Sequence, residues 1–363
     1  MRPLPSGVTL TERHAHVIGL GLIGSSVVLA LRNAGWHVTG SDISAAVVYE
    51  ALEVQLIETA DMHEDCSLVV IATPAGVVAD VAWSILRSSS KADLIVTDVA
   101  GVKRDIVREV TDPRFLGGHP MAGSELRGIK GARADLFQGC TWILTPTATT
   151  TAEVYSRLHS MWRELGAAVV AVSADDHDRL VALASHVPHI VAGSLMNEAS
   201  IAAQEDAVLL QLAAGGFRDM TRIAAGDPTI WPDILFQNRD AITAALLSLE
   251  ERLAAIRHAL ANGERSTIEA GLLSASVARR QLPGRALRSD DLTYLRIPMP
   301  DRPGVLAAIT MVASEMLVNI YDIEIAHGIE GTAGTLLLAV DREQVDAFEK
   351  ALEEESFVVV REP

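Results

Sequence analysis

The segment Gly19-Leu20-Gly21-Leu22-Ile23-Gly24 joins an apolar run, His16–Gly19, to a stretch with helical periodicity, Leu22–Ala34. Three glycines at this spacing suit the end of a first strand entering a helix. Gly19 permits the tight turn, Gly21 lets backbone N–H groups approach an anion, and Gly24 lets helix and strand pack closely. In the stretch that follows, Ile23, Val27, Ala30 and Leu31 share one helical face. Further apolar runs at Trp36–Gly40, Ser67–Thr73, Asp93–Thr97 and Thr141–Thr145 alternate with helical stretches, and a helix (Thr151–Leu165) and a strand (Ala168–Val172) extend the pattern. Strands alternating with helices in this way predict βαβ units and a mostly parallel, Rossmann-type sheet over residues 1–174.

From Asp175 the strand signal disappears. Residues 175–282 read as an all-helical domain rich in Ala, Leu, Ile and Glu, in which Pro188 kinks a long helix rather than ending the region. A Pro/Gly/Arg/Asp stretch at 283–291 reads as a linker. Residues 292–363 then follow the order β-α-β-β-α-β, a ferredoxin-like α+β module. The fold class expected is therefore α/β plus all-α plus α+β.

The 363 residues carry a formal net charge of −17, which argues against nucleic acid or an anionic membrane as the main partner. Cys66 and Cys140 are too few for a disulfide framework and too far apart for a zinc site, so a reducing cytoplasm and no metal are expected. No uninterrupted apolar stretch reaches about 18 residues, so no membrane span is expected.

The helix after the glycine turn offers its N-terminus to a pyrophosphate, and Asp42 ends the second strand. A carboxylate there accepts hydrogen bonds from ribose hydroxyls and repels a 2′-phosphate, which favours NAD over NADP. His119-Pro120-Met121-Ala122-Gly123-Ser124-Glu125 follows a Gly-Gly pair in a stretch read as a loop beyond the strands, where open α/β sheets hold ligands. A neutral histidine there can take the proton of a substrate hydroxyl. In the helical region, His186-Val187-Pro188-His189 lies at the kink, and Gly215-Gly216-Phe217 runs on through Arg222 to Trp231. Arg222 is a natural clamp for a carboxylate.

These segments in this order resemble the prephenate/arogenate dehydrogenase family of tyrosine biosynthesis, over nearly the whole chain. The resemblance implies NAD-dependent oxidative decarboxylation of prephenate, or of arogenate as the alternative. It makes His119 the catalytic histidine and Arg222 the carboxylate ligand, with Ser124, His189, Gly215 and Trp231 as further substrate positions. Leu22, Ile23, Thr73, Pro74 and Asp98 join Gly19, Gly21, Gly24 and Asp42 as cofactor positions. A generic β-hydroxyacid dehydrogenase would use a lysine in the helical region, and none lies between Lys130 and Lys350. A non-catalytic sensor of NAD and amino acids is the rival from another class.

One departure stands out. Family members commonly carry a serine where this chain reads Ala100-Gly101-Val102-Lys103, which leaves His119 to be oriented by water or by Ser124. The C-terminal module, opening at Asp301-Arg302-Pro303-Gly304, resembles the ACT domain. That resemblance implies an amino-acid effector such as tyrosine, with Asp301, Gly304 and Asn319 as ligand positions. Apolar helices such as Ala241–Ala261, with the pairing habit of ACT-like modules, imply a homodimer.

Overall fold

The computed structural model describes residues 13–123, 126–206, 208–226, 228–280, 292–300, 305–316, 318, 320–327, 333–342 and 344–361. The chain divides into two compact units, 1–250 and 251–363.

The first unit is built on a seven-stranded sheet. Its chain order is β1 (His14–Ile18), α1 (Leu22–Asn33), β2 (His37–Ser41), α2 (Ala45–Glu53), β3 (Leu68–Ile71), α3 (Val78–Ser88) and β4 (Ile95–Asp98). There follow α4 (Arg104–Glu109), β5 (Phe115–Pro120), β6 (Thr141–Thr145), α5 (Ala152–Glu164) and β7 (Ala168–Ala171). The strands lie in the order β2-β1-β3-β4-β5-β6-β7. All neighbours are parallel except β5 and β6. Every residue of β3 and β4 is buried, as expected of strands covered on both faces. Val27, Val28 and Leu31 of α1 enter the core, and Trp142 stacks on Trp162 at 3.7 Å. The strand order reverses between β1 and β3, which opens a crevice beyond their carboxyl ends.

One expectation is corrected here. His119 lies in a strand, β5, paired with β6 opposite Ile143, and not in a loop. The Gly117-Gly118 pair obscures this strand in the sequence because glycine is a poor strand former. The structure requires both glycines: a Cβ at Gly117 would stand 2.5 Å from Thr145 Oγ1, and one at Gly118 2.8 Å from the Asp98 carbonyl oxygen.

The helical stretch begins with α6 (Ala174–Val181), passes through one π-helical turn (Ala182–His186) and continues as α7 (Val187–Glu205). Ser173 caps α6 by accepting the Asp176 N–H, and Asp175 and Asp176 favour the positive end of the helix dipole. Pro188 lacks the N–H that the regular ladder needs, which accounts for the π turn just before it. Length and composition would let the run 174–205 cross a membrane. Its first turns are instead tied to the sheet through buried His177, which meets His119 of β5, and buried Asp178, which accepts the Lys103 N–H in the turn after β4. Next come α8 (Val208–Gln211), α9 (Gly215–Thr221), a 3₁₀ turn (Arg222–Ala225), α10 (Trp231–Gln237) and α11 (Arg239–Ala261), within which the chain passes into the second unit.

The second unit holds the rest of α11, α12 (Arg265–Arg280), β8 (Leu292–Pro300), α13 (Val305–Glu315), β9 (Ile320–His327), β10 (Ala333–Asp341), α14 (Val345–Glu354) and β11 (Val360–Arg361). The strands form an antiparallel sheet in the order β11-β8-β10-β9, so the β-α-β-β-α-β order is present. Leu295, Ile297, Ile309, Leu336, Leu338, Phe348 and Leu352 make its core. The stretch 283–291 and the residues Asp301, Gly304 and Asn319 lie outside the described residues.

Candidate active site

The glycine turn sits at the crevice, with each glycine doing a different job. Gly19 has φ +94°, and a Cβ there would stand 2.5 Å from the Ala72 carbonyl oxygen. A Cβ at Gly24 would stand 1.9 Å from the Gly19 carbonyl oxygen, so α1 touches the turn backbone directly. Gly21, by contrast, faces open space, with nothing within 4 Å of a Cβ built on it. No side chain caps α1 and no acid lies in its first turn, so the N–H groups around Leu22 and Ile23 remain for an anion. The cradle thus fits the pyrophosphate of a dinucleotide.

Gly24→Ala puts its Cβ against immovable backbone and is expected to cost about 1–3 kcal/mol. It also displaces α1 from the turn. Urea unfolding and dinucleotide titration check this; unchanged stability and affinity would overturn the packing role.

Asp42 accepts the Leu20 N–H (2.8 Å) on one carboxylate oxygen and the Ser44 N–H (2.9 Å) on the other. It therefore ties the glycine turn to the start of α2 and keeps lone pairs for a ribose hydroxyl. Beneath the turn, buried His16 bonds Thr39 Oγ1 (2.7 Å) and Ser41 Oγ (3.1 Å), and burial pushes its pKa down to about 4 against the pull of Asp61. Thr73 and Pro74 follow β3, with the Thr73 backbone nitrogen packed close to Gly19.

Asp98 is the cofactor position expected at the end of the fourth strand. It is fully buried at the end of β4, and its carboxylate is taken up by the Lys103 ammonium and by the N–H groups of Ala100 (2.9 Å) and Gly118 (3.2 Å). This shell fixes the shape of the 100–103 turn.

His119 is half-buried at the carboxyl end of β5. Its Nδ1 lies 2.9 Å from His177 Nε2, and His177 Nδ1 lies 2.7 Å from Asp178 Oδ1. Asp178 also accepts the backbone N–H groups of Lys103 (2.8 Å) and Arg104 (3.0 Å). Burial holds His119 well below the ordinary histidine range, with His177, Lys103 and His186 adding to the effect. The orienting partner of His119 is thus His177, where the sequence suggested water or Ser124; Ser124 itself lies outside the described residues. His177, Asp178 and Lys103 were not singled out from the sequence as site residues. The signal was present: an adjacent His-Asp pair in the first turns of a helix that opens on the cap Ser173.

Gly101 backs onto the same histidine, since a Cβ there would lie 3.6 Å from His119 Nε2 in ordinary contact. Gly101→Ser is therefore expected to leave the melting temperature unchanged and to lower kcat about fivefold, because the added hydroxyl competes for Nε2 with a hydrogen bond worth about 1 kcal/mol. Steady-state kinetics on prephenate and arogenate, the substrates that the resemblance implies, check this, and unchanged rates would remove the idea.

The helices add a third wall. His186, buried, bonds the Asn238 side chain (3.2 Å), which also donates to the Asp178 carbonyl oxygen (2.8 Å). Burial pushes His186 down to about 4, outweighing the opposing effect of Asp178. His189, on α7, stacks on Trp231 at 3.6 Å. The 3₁₀ turn that starts at Arg222 packs on α7 and ends at Gly226, where a Cβ would lie 3.8 Å from His189 Cε1. Gly215 opens α9, with nothing within 4 Å of a Cβ built on it. The structure so brings His119 together with His177 and His186, and His189 with Trp231 and the Arg222 turn. Through α10, which meets the turn after β3, this second group borders the cofactor crevice.

A doubly wound sheet with a dinucleotide cradle and a neutral histidine at the same strand ends defines an NAD-dependent dehydrogenase. Residues 27–171 match the nucleotide-binding domain of prephenate dehydrogenase, and residues 173–273 match its dimerization domain. The chain is 32% identical to the prephenate dehydrogenase of Bacillus subtilis, over 88% of this chain and 90% of that one. Among solved structures it resembles a prephenate dehydrogenase from A. aeolicus in complex with hydroxyphenyl propionate and NAD+ (TM-score 0.70, 26% identity, covering 76% of this chain and 100% of the other). A Synechocystis arogenate dehydrogenase is also similar (TM-score 0.64, 28% identity, 74% and 100% covered). The chain belongs to the prephenate dehydrogenase family.

Proposed function

We infer that the chain converts prephenate to 4-hydroxyphenylpyruvate and CO2 with reduction of NAD, in the synthesis of tyrosine. The observation that carries this reading is the neutral His119 at the carboxyl end of β5, the end of the parallel strands at which the glycine turn also lies. When bound, NAD supplies the two-electron acceptor. The N–H groups at the start of α1 would hold the pyrophosphate, and Asp42 the ribose. His119 Nε2 receives the hydrogen of the ring hydroxyl as its carbon is oxidised. Arg222 binds a substrate carboxylate, with Gly215, His189 and Trp231 shaping the pocket. Loss of the ring carboxylate as CO2 makes the ring aromatic, which drives the step.

Arogenate is the second reading, favoured by the similarity to the Synechocystis enzyme; it differs in carrying an amino group for the keto group. The helical part presents exposed apolar side chains, among them Ile201, Leu212, Phe236 and Leu247, and it matches a dimerization domain, which supports a homodimer. The β-α-β-β-α-β module supports an ACT-like role with tyrosine as effector. Formation of reduced NAD, followed by absorbance with each substrate and then with added tyrosine, tests all three points. Turnover with prephenate and loss of rate with tyrosine are expected. Turnover with arogenate alone would transfer the function to that substrate, a flat response to tyrosine would remove the effector role, and silence with both substrates would overturn the enzyme reading.

A further inference from the structure

We propose that His177 and Asp178 are positioning residues that leave Nε2 of His119 bare for the substrate and share the positive charge that forms when it takes a proton. The inference deepens the reading of His119 as proton acceptor and rests on it for its catalytic consequence.

The hydrogen-bond chain allows one consistent arrangement. Burial pushes Asp178 upward, but the donors from His177 and from the Arg104 and Lys103 backbone outweigh it, so the carboxylate stays ionised and only accepts. His177 Nδ1, 2.7 Å away, must then carry a hydrogen. Burial, with Lys103 nearby, holds His177 neutral against the pull of Asp178 and Asp98, so its Nε2 has a lone pair. That lone pair faces His119 Nδ1 at 2.9 Å, and His119 must donate. A neutral imidazole with hydrogen on Nδ1 has none on Nε2. Nε2 is also the ring atom nearest Gly101, which brings no side chain to hold the ring from that side.

The protons balance. The substrate O–H breaks as Nε2–H forms, and the imidazolium charge spreads through His177 to Asp178. As CO2 leaves, the proton returns to the phenolic oxygen, and His119 ends neutral. Among the described residues, the other titratable groups packed around the pair are Lys103, Asp98 and His186.

The test is nitrogen-15 NMR of the histidine rings in the full chain without substrate, with His119 assigned from the spectrum of His119→Gln, together with steady-state kinetics of Asp178→Asn, His177→Gln and His177→Leu. Nδ1–H on His119 is the expected tautomer. Asp178→Asn is expected to shift the tautomer population and lower kcat about 10²–10⁴-fold with KM little changed. Its acidic limb of kcat/KM moves to lower pH, because the anion that favours the imidazolium is gone. His177→Gln, whose amide oxygen still accepts from His119, keeps the rate within about tenfold, whereas His177→Leu loses about a hundredfold or more. Nε2–H on His119, or an unmoved pH profile with equal rates for the Gln and Leu variants, would overturn the proposal. The spectrum needs no turnover, so a silent wild type would count against the proposed function while the tautomer still judged the relay.

Discussion

His119→Gln is expected to lower kcat about 10²–10⁴-fold while dinucleotide affinity stays within about twofold. The side chain belongs to β5, at some remove from the glycine turn that would hold the cofactor, and glutamine can fill the half-buried site without a proton acceptor of comparable basicity. The pH dependence follows from the same burial. Because His119 is held well below 6.5, the neutral, accepting form persists below that pH, and the acidic limb of kcat/KM lies under 6.5. Activity is lost as pH falls through the folded-state pKa, not as pH rises. Initial-rate profiles for the wild type and the variant check both points. A variant retaining more than about a tenth of the wild-type kcat would remove His119 from the chemistry.

Lys103→Met is expected to destabilise the first unit by about 3–5 kcal/mol. Lys103 and Asp98 are both fully buried and form an ion pair. Burial lowers the lysine pKa, and Asp98 and Asp178 oppose that shift. Removing the ammonium leaves the Asp98 carboxylate with only the Ala100 and Gly118 N–H groups in a site closed to water. Pairing the change with Asp98→Asn removes the orphaned charge and should recover about half of the loss or more, since replacing both partners of a buried pair is far milder than breaking it. Urea unfolding of the two single variants and the double gives the coupling. A single-variant cost under about 1 kcal/mol would show that the pair is not the strut between β4 and β5. Activity should fall with stability, because the Lys103 backbone N–H also anchors Asp178.

The cofactor half of the site was legible because its determinants are local. Gly19, Gly21 and Gly24 lie within one turn, and the open face at Gly21 beside closed faces at Gly19 and Gly24 follows from their spacing. His119 was legible as a residue type in a recognisable segment, but its strand was not, since Gly117 and Gly118 erase the apolar alternation that marks one. The partners of Asp98 were illegible for a related reason: an acid at the end of a parallel strand suits a cofactor contact, and only packing shows its carboxylate enclosed by Lys103, Ala100 and Gly118.

The sequence by itself determined the alternation of strand and helix, the glycine turn, the helical stretch after Asp175 and the β-α-β-β-α-β order near the C-terminus. Each is a matter of side-chain period or backbone sterics within a few residues, and neighbours along the chain supply all of it. Only the tertiary structure decided which nitrogen of His119 is bare. That choice rests on His177, 58 residues away in the chain, and on Asp178 beyond it. A histidine's tautomer is set by the hydrogen bond its other nitrogen makes, and that partner arrives only when α6 packs against β5.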